Sequence, residues 1–222
     1  NLPDNIPVIN LENSELSENK IVNPEHVCNG NNLAYCIYTS GTTGKSKGVM
    51  VKNNNLSSYV KQFCEYFKIN DQTTILQQAY IGFDTSVEEL YPVLMCGGKI
   101  VVVSRETLID TNELKNVINR YGINIISSSP MLINAIEDLE DTPVRILISG
   151  GDVLKEEYIR KILDSDIAVY NTYGPTEATV CVTYYKVEHC NKNIPIGKPI
   201  SGAEVYILDG DSMCGIGIPG EI

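Results

Sequence analysis

The sequence predicts an α/β fold: a mostly parallel sheet with helices on both faces, passing near the C-terminus into the start of an antiparallel β section. Three observations lead there. Between residues 33 and 170, short apolar runs alternate with segments whose apolar residues recur at helical spacing. Strands separated by helices of this length imply crossover connections, and crossovers make neighbouring strands parallel. Beyond residue 178 the pattern changes, because the β-rich runs 178–187 and 203–208 have no helix between them. Finally, 43% of the 222 residues are hydrophobic and 20% charged, a balance that supports a sizeable core and argues against wholesale disorder.

Each element follows in order. Residues 1–32 are polar and rich in asparagine, and read as an extended lead-in with one short strand at 6–10. Leu33 to Tyr38 read as a buried strand, and the Gly/Thr/Ser/Lys loop 39–48 leads to a short strand at 49–51. Leu56, Tyr59, Val60, Phe63 and Phe67 share one face of a helix over 54–68, with Asn53 to Asn55 supplying N-cap chemistry. A strand at 73–77 precedes a helix at 84–96 that opens at Asp84, and Pro92 should kink or shorten it. A strand at 99–103 precedes a helix at 111–121 carrying Leu114, Val117, Ile118 and Tyr121. A strand at 123–127 runs through three serines and Pro130 into a helix at 131–139. A strand at 145–149, a helix at 153–163 and a strand at 167–170 complete a core that spans 33–177. Residues 178–222 begin a β-rich subdomain.

Composition narrows the function classes. With 28 acidic and 17 basic residues the formal charge is −11. Such a chain lacks the basic footprint of a nucleic-acid binder and the basic face that holds a protein on an anionic membrane. Any phosphate must be bound locally, by one loop. The first residues, Asn1-Leu2-Pro3-Asp4-Asn5, do not read as a signal peptide, and no stretch approaches the roughly 20 apolar residues of a membrane helix. The seven cysteines include no Cys-x-x-Cys, and Cys36, Cys64, Cys96 and Cys181 lie in apolar runs that suit small buried thiols. A reducing cytoplasm is the expected compartment. A zinc site is not expected from two distant histidines, His26 and His189.

Ligands of an open parallel sheet sit beyond the carboxyl ends of its strands, and four loops are expected there. The loop from Thr39 to Gly48 combines glycines, hydroxyls and lysines, as a phosphate chain requires. It is not the standard nucleotide-triphosphatase loop, since Thr39 stands where a glycine is needed and a strand-like segment follows. Phe83-Asp84-Thr85-Ser86 opens a helix, where ordinary capping also accounts for the aspartate. Ser149-Gly150-Gly151-Asp152 and Asn171-Thr172-Tyr173-Gly174-Pro175-Thr176-Glu177 read equally as tight turns or as ligand loops. In the last, Tyr173 offers a flat face for a purine, and Glu177 offers oxygen to magnesium.

Taken together and in this order, the loops resemble those of adenylate-forming enzymes, specifically the amino-acid adenylation domains of nonribosomal peptide synthetases. The resemblance runs from Leu33-Ala34-Tyr35 through Tyr38–Gly44 and Lys47-Gly48-Val49. It continues in Phe83-Asp84-x-Ser86, in Asn171 to Glu177 and in Ile196-Gly197-x-Pro199-Ile200, and closes at Gly220-Glu221-Ile222. Ser46 departs from the proline usual in the family. The resemblance implies that an amino-acid carboxylate is joined to the α-phosphate of ATP with magnesium. The aminoacyl group then passes to the phosphopantetheine of a carrier domain, with adjacent synthetase domains as further partners. It also implies that Thr39, Ser40, Gly41, Thr42, Thr43, Gly44 and Lys47 hold the β- and γ-phosphates and that Thr176 contacts the α-phosphate. Gly151, Asn171, Tyr173 and Gly174 would form the adenine site, and Glu177 would hold the metal. Asp84 would pair with the substrate's α-ammonium. The family's catalytic lysine and its small C-terminal lid would lie beyond Ile222, and a further stretch before residue 1. The polypeptide by itself is therefore expected to be a poor catalyst.

The family's substrate-pocket lining falls on Asp84, Thr85, Glu88, Ser127, Ile148, Gly150, Thr172, Val180 and Cys181, a set similar to those described for lysine. Glu88 lies one helical turn from Asp84, so the two carboxylates share a face. It reads either as a solvent-facing acid like Glu89 or as the counter-ion of a basic side chain, lysine first and ornithine second. A D-alanine–carrier protein ligase would share Asp84 without needing Glu88. Acyl- or aryl-CoA ligases would have no use for Asp84. A non-catalytic nucleotide-binding module is the alternative from another class.

Overall fold

The computed structural model describes residues 25, 27–40, 44–189 and 193–222; the strand expected at 6–10 lies outside them. β1 (Leu33–Thr39) and β2 (Lys47–Lys52) form an antiparallel hairpin of their own. α1 (Asn53–Phe67) follows directly and packs against both. Asn55 Oδ1 accepts from the Lys52 N–H at 3.3 Å, so an asparagine caps α1 from inside its first turn. β3 (Thr74–Gln77), α2 (Thr85–Met95) and β4 (Lys99–Val102) form the first parallel crossover. α3 (Arg105–Ile109) and α4 (Thr111–Tyr121) lead to β5 (Ile125–Ser128), and α5 (Pro130–Ala135) to β6 (Ile146–Ser149). α6 (Glu156–Leu163) connects β6 to β7 (Ala168–Tyr173). The chain then reverses into β8 (Thr183–Val187) and β9 (Lys198–Pro199).

These strands make one seven-stranded sheet in the order β4-β3-β5-β6-β7-β8-β9. The pairs from β4 to β7 are parallel, and β8 and β9 are antiparallel, as expected from the change of texture after residue 178. Successive side chains on a strand point to opposite faces, so each strand feeds two cores. Ile126, Leu147 and Val169 enter one with Leu114, Ile118 and Ile159 of α4 and α6. Ile125, Ile148 and Tyr184 enter the other with Tyr59, Phe63 and Phe67 of α1 and Val87 and Val93 of α2. Burying one such side chain stabilises the fold by about 1.5–3 kcal/mol relative to exposing it.

Several expectations are corrected. Leu33 to Tyr38 form a strand but not a buried one, since Leu33 is 53% and Tyr38 71% exposed and only Ile37 is buried. The reason is topological, because the hairpin stands outside the main sheet and rests on one side only. For the same reason loop 39–48 is a hairpin connection, not an exit from a parallel strand. Cys36 is exposed and Cys64 and Cys96 are only partly covered, whereas Cys181 is buried as expected. α2 runs to Met95 with Pro92 inside it, three residues from its end. The helix expected at 131–139 stops at Ala135, and a 3-10 turn at Leu139–Asp141 follows. The helix expected at 153–163 starts at Glu156. Segment 203–208 is irregular up to β10 (Leu208–Asp209), which pairs with β11 (Ser212–Met213) in a small hairpin.

Candidate functional site

The site is assembled where β5, β6 and β7 end. Ser127 and Ile148 are paired neighbours on β5 and β6, and Thr172 lies on β7. All three side chains are buried. Thr172 Oγ1 donates to the Ser149 carbonyl at 3.2 Å and lies against Gly150, where any Cβ would meet that hydroxyl at 2.7 Å. β6 and β7 are thereby tied at their carboxyl ends.

α2 supplies the acidic residues. Glu88 is buried in its first turn, and its two oxygens are held separately. The Tyr59 hydroxyl of α1 donates to Oε2 at 2.6 Å, and the Ser127 hydroxyl donates to Oε1. The Tyr184 hydroxyl of β8 reaches the Tyr59 oxygen at 3.4 Å and extends the chain of hydroxyls. Burial raises the Glu88 carboxyl above its ordinary range, the bonds from Ser127 and Tyr59 oppose that rise, and the negative charge of Asp84 adds to it. Among the described residues no ion pair reaches Glu88, since all four ion pairs lie elsewhere. The solvent-facing alternative for this residue is therefore wrong.

Glu89, taken from the sequence as a solvent-facing acid, is also buried. It turns the other way and clamps the chain leaving β3. The Ala79 N–H donates to its Oε2 at 3.1 Å, and the side-chain amides of Gln77 and Gln78 each donate at 3.2 Å. Gln78 also reaches the Ser127 carbonyl at 3.2 Å. The clamp fixes the loop that delivers Asp84. Burial pushes the Glu89 carboxyl up to about 7, against the lowering effect of those hydrogen bonds.

Asp84 and Thr85 are half-buried at the start of α2. Asp84 makes no capping bond to its own helix, so ordinary capping does not explain it. It lies close enough to Tyr35 of β1 that its charge, after burial, helps push that hydroxyl up to about 12. The Tyr35 oxygen is buried without a hydrogen-bond partner. A buried polar atom with no partner is costly, and a hydrogen bond from a ligand would satisfy it.

Val180 and Cys181, both buried, lie in the chain that follows β7. The Cys181 thiol is raised by burial and then by the Glu88 charge. Thr179 and Val180 both hold positive φ, 65° and 68°, an unusual conformation for two β-branched residues in succession. Gly174 explains how this strip packs, because any Cβ there would run into the backbone of Val180 and Cys181. The Val182 N–H donates to the Tyr173 carbonyl at 2.8 Å and locks the crossing.

Gly151, Asn171, Tyr173 and Gly174 together line one cavity of about 370 Å³, with Pro175 and Ile196 on its wall. Asn171 is buried and its amide donates to the Pro195 carbonyl at 2.9 Å, while Tyr173 keeps 37% of its surface exposed. Thr176 is half-buried and Glu177 exposed in the turn Thr176–Ala178, and this turn packs against β2. That contact brings β2 to the turn at Thr176 from far away in sequence. Thr39 and Lys47 lie at the two ends of the hairpin connection, with Ser40, Gly44 and Lys47 exposed and Gly44 at φ 79°. Gly41, Thr42 and Thr43 lie outside the described residues. Among the described residues no group of three or more metal-binding side chains occurs. A larger groove of about 560 Å³, between α1 and β8–β9, holds none of the expected site residues. Among the described residues no helix is long and apolar enough to cross a membrane.

Sequence reasoning missed Tyr59, Tyr184 and Glu89. Tyr59 and Phe63 share the apolar stripe of α1, and nothing in that periodicity separates a tyrosine with a buried acid on its hydroxyl from a plain core residue.

Known proteins resemble this chain along nearly its whole length. The chain is 41% identical over 207 residues to bacitracin synthase 2 of Bacillus licheniformis, covering 90% of the chain and 8% of that protein. It is 34% identical over 226 residues to tyrocidine synthase 3 of Brevibacillus parabrevis, covering 98% of the chain and 3% of that protein. The chain thus spans a small fraction of these relatives. Its fold superposes with a TM-score of 0.71 on a four-domain nonribosomal peptide synthetase crystallised with AMP and glycine, at 29% identity over 80% of this chain and 13% of that one. The model of the family described as AMP-binding enzyme matches residues 3–222, and the chain belongs to that family.

Proposed function

We propose that these residues form the nucleotide- and amino-acid-binding part of an adenylation domain in nonribosomal peptide synthesis, and that the amino acid is basic, lysine before ornithine. The observation that carries the choice of substrate is Glu88, a buried carboxylate with a neutral donor on each oxygen and no cationic partner among the described residues. A buried charge needs a countercharge or it neutralises itself. The terminal ammonium of lysine supplies one. Asp84 takes the α-ammonium at the mouth of the recess, which requires the substrate to be an α-amino acid.

The remaining residues follow from charge management. An anionic carboxylate must approach a polyanionic triphosphate, so catalysis is positioning plus charge stabilisation. Loop 39–47 wraps the β- and γ-phosphates with backbone N–H groups and Lys47, and Thr176 meets the α-phosphate. Tyr173 stacks on adenine in the cavity that Gly151, Asn171 and Gly174 also line. Magnesium, held through Glu177, would supply charge neutralisation on the phosphates. The activated aminoacyl group then passes to the phosphopantetheine thiol of a carrier domain.

Amino-acid-dependent pyrophosphate exchange by the complete domain tests the reading. Lysine should support exchange, and norleucine, which lacks the ammonium, should be rejected by roughly two to three decades, the lower part of the range of about 3–5 kcal/mol typical of an unpaired buried charge. Glu88→Gln should remove most of that preference. Equal use of leucine and lysine would overturn the substrate class. Exchange with D-alanine or a simple fatty acid as the preferred substrate would overturn the activity as stated.

A further inference from the structure

We infer that Tyr59 of α1 is a second determinant of side-chain selection, a positioning residue that keeps the Glu88 carboxylate ionised and aimed into the recess. The inference rests on the reading of Glu88 as the counter-ion of a basic substrate. It concerns a residue outside the recess lining set out above, on a helix whose apolar stripe otherwise belongs to the core.

Three observations carry it. First, Tyr59 is 4% exposed and Glu88 3%, and their bond of 2.6 Å lies in the range of a hydroxyl donating to a charged carboxylate. Second, the bond ties Oε2 while Ser127 ties Oε1, so neither oxygen can rotate without breaking a buried bond. The carboxylate plane is thereby fixed from two different elements, α1 and β5. Third, the Tyr59 oxygen is approached by the Tyr184 hydroxyl at 3.4 Å, which orients the Tyr59 proton toward Glu88 rather than toward Tyr184. A donor on a carboxylate favours its charged form, and in a site with no protein cation such donors are what resist neutralisation. A neutral Glu88 would accept an uncharged side chain nearly as well as an ammonium, so selectivity depends on these donors as well as on Glu88 itself.

The experiment is a steady-state comparison of lysine and norleucine in pyrophosphate exchange, using the complete adenylation domain. Tyr59→Phe removes one oxygen and keeps the ring that packs against Phe63, their centroids being 6.0 Å apart. It should raise KM for lysine by on the order of 10- to 100-fold, the usual worth of a hydrogen bond to a charged group, with kcat little changed. KM for norleucine should stay constant or fall, so the lysine preference shrinks. In a Glu88→Gln background the same change should have no further effect on the preference, because its target is gone. If Glu88→Gln abolishes the preference and Tyr59→Phe leaves it intact, the role of Tyr59 is rejected while the substrate reading stands. If Glu88→Gln leaves the preference intact, the substrate reading itself fails. Should Tyr59→Phe not fold, Tyr184→Phe is read in its place. It leaves the Glu88 bonds in position but removes the hydroxyl that donates to the Tyr59 oxygen and so strengthens Tyr59 as a donor to Glu88, and a lysine preference unchanged within twofold would reject the role of Tyr59.

Discussion

The two faces of the seven-stranded sheet are built differently. Under α4 and α6 the core is aliphatic, made of leucine, isoleucine and valine packed without charge. Under α1 and α2 the core is aromatic and wet with hydroxyls, since Tyr59, Phe63, Phe67 and Tyr184 surround a buried glutamate. Leu147 and Ile148 are chain neighbours, yet each belongs to a different one of these cores. The lesson is that one strand can feed a purely aliphatic core with one side chain, as Leu147 does, and an acid-bearing, hydroxyl-rich core with the next, as Ile148 does. A face that tolerates a buried acid does so because its hydroxyls meet that acid, whereas the aliphatic face could not.

That division can be broken by experiment, and the largest effect should come from the aliphatic side. Leu147→Ala opens a cavity in a fully buried position and should cost about 2–5 kcal/mol in denaturant unfolding of the complete domain. Its lysine-to-norleucine ratio should not move. A shift in that ratio comparable with the loss of stability would show that the two faces do not act separately.

A smaller effect sharpens the comparison on the recognition side. Burial raises the Glu89 carboxyl from 4.5 to about 7, so the folded chain holds this proton more tightly than the unfolded chain does. The stability this group contributes is present in full below about 4.5 and is lost as pH rises through about 7. Glu89→Gln does not titrate, and should flatten the fall in stability across that window. Denaturation midpoints measured at intervals between those values decide it; an identical slope in the variant would mean that Glu89 is not held as described.

The smallest effect concerns the strained strip beside the recess. Thr179 holds φ 65°, where glycine carries no steric penalty. Thr179→Gly should recover about 1 kcal/mol of the strain, partly offset by a more flexible unfolded chain. A thermal unfolding midpoint that rises slightly, with unchanged lysine preference, is the expected outcome; a clear fall would show that the threonine side chain contributes more than its backbone costs.

Much of this architecture was legible from residue patterns. Segments such as 99–102 and 111–121 carried one periodicity each, with a glycine to end the helix at Gly122, and they came out where expected. Asn171, Tyr173 and Gly174 were legible as a set because they are adjacent in sequence and a turn must bring them together. What could not be read depends on neighbours supplied by distant elements. Leu33 to Tyr38 has the composition of a central strand, and only the topology leaves it on a hairpin with one partner. Glu88 and Glu89 are alike in sequence, and their opposite tasks come from a serine on β5 and from the loop leaving β3. The short α5 follows from chain entry, since Pro130 opens the helix and Asp138 already holds φ 52° a few residues later.

The contact between Gly174 and the backbone of Val180 and Cys181 joins the cavity beside Tyr173 to the surroundings of the buried Glu88 through a single ribbon. Transplanting the corresponding segment of a relative into this scaffold would therefore have to carry residues 171–182 as a unit. A splice placed inside that ribbon would set the cavity lining out of step with the packing around Glu88, and on the proposed reading the amino acid out of step with the nucleotide.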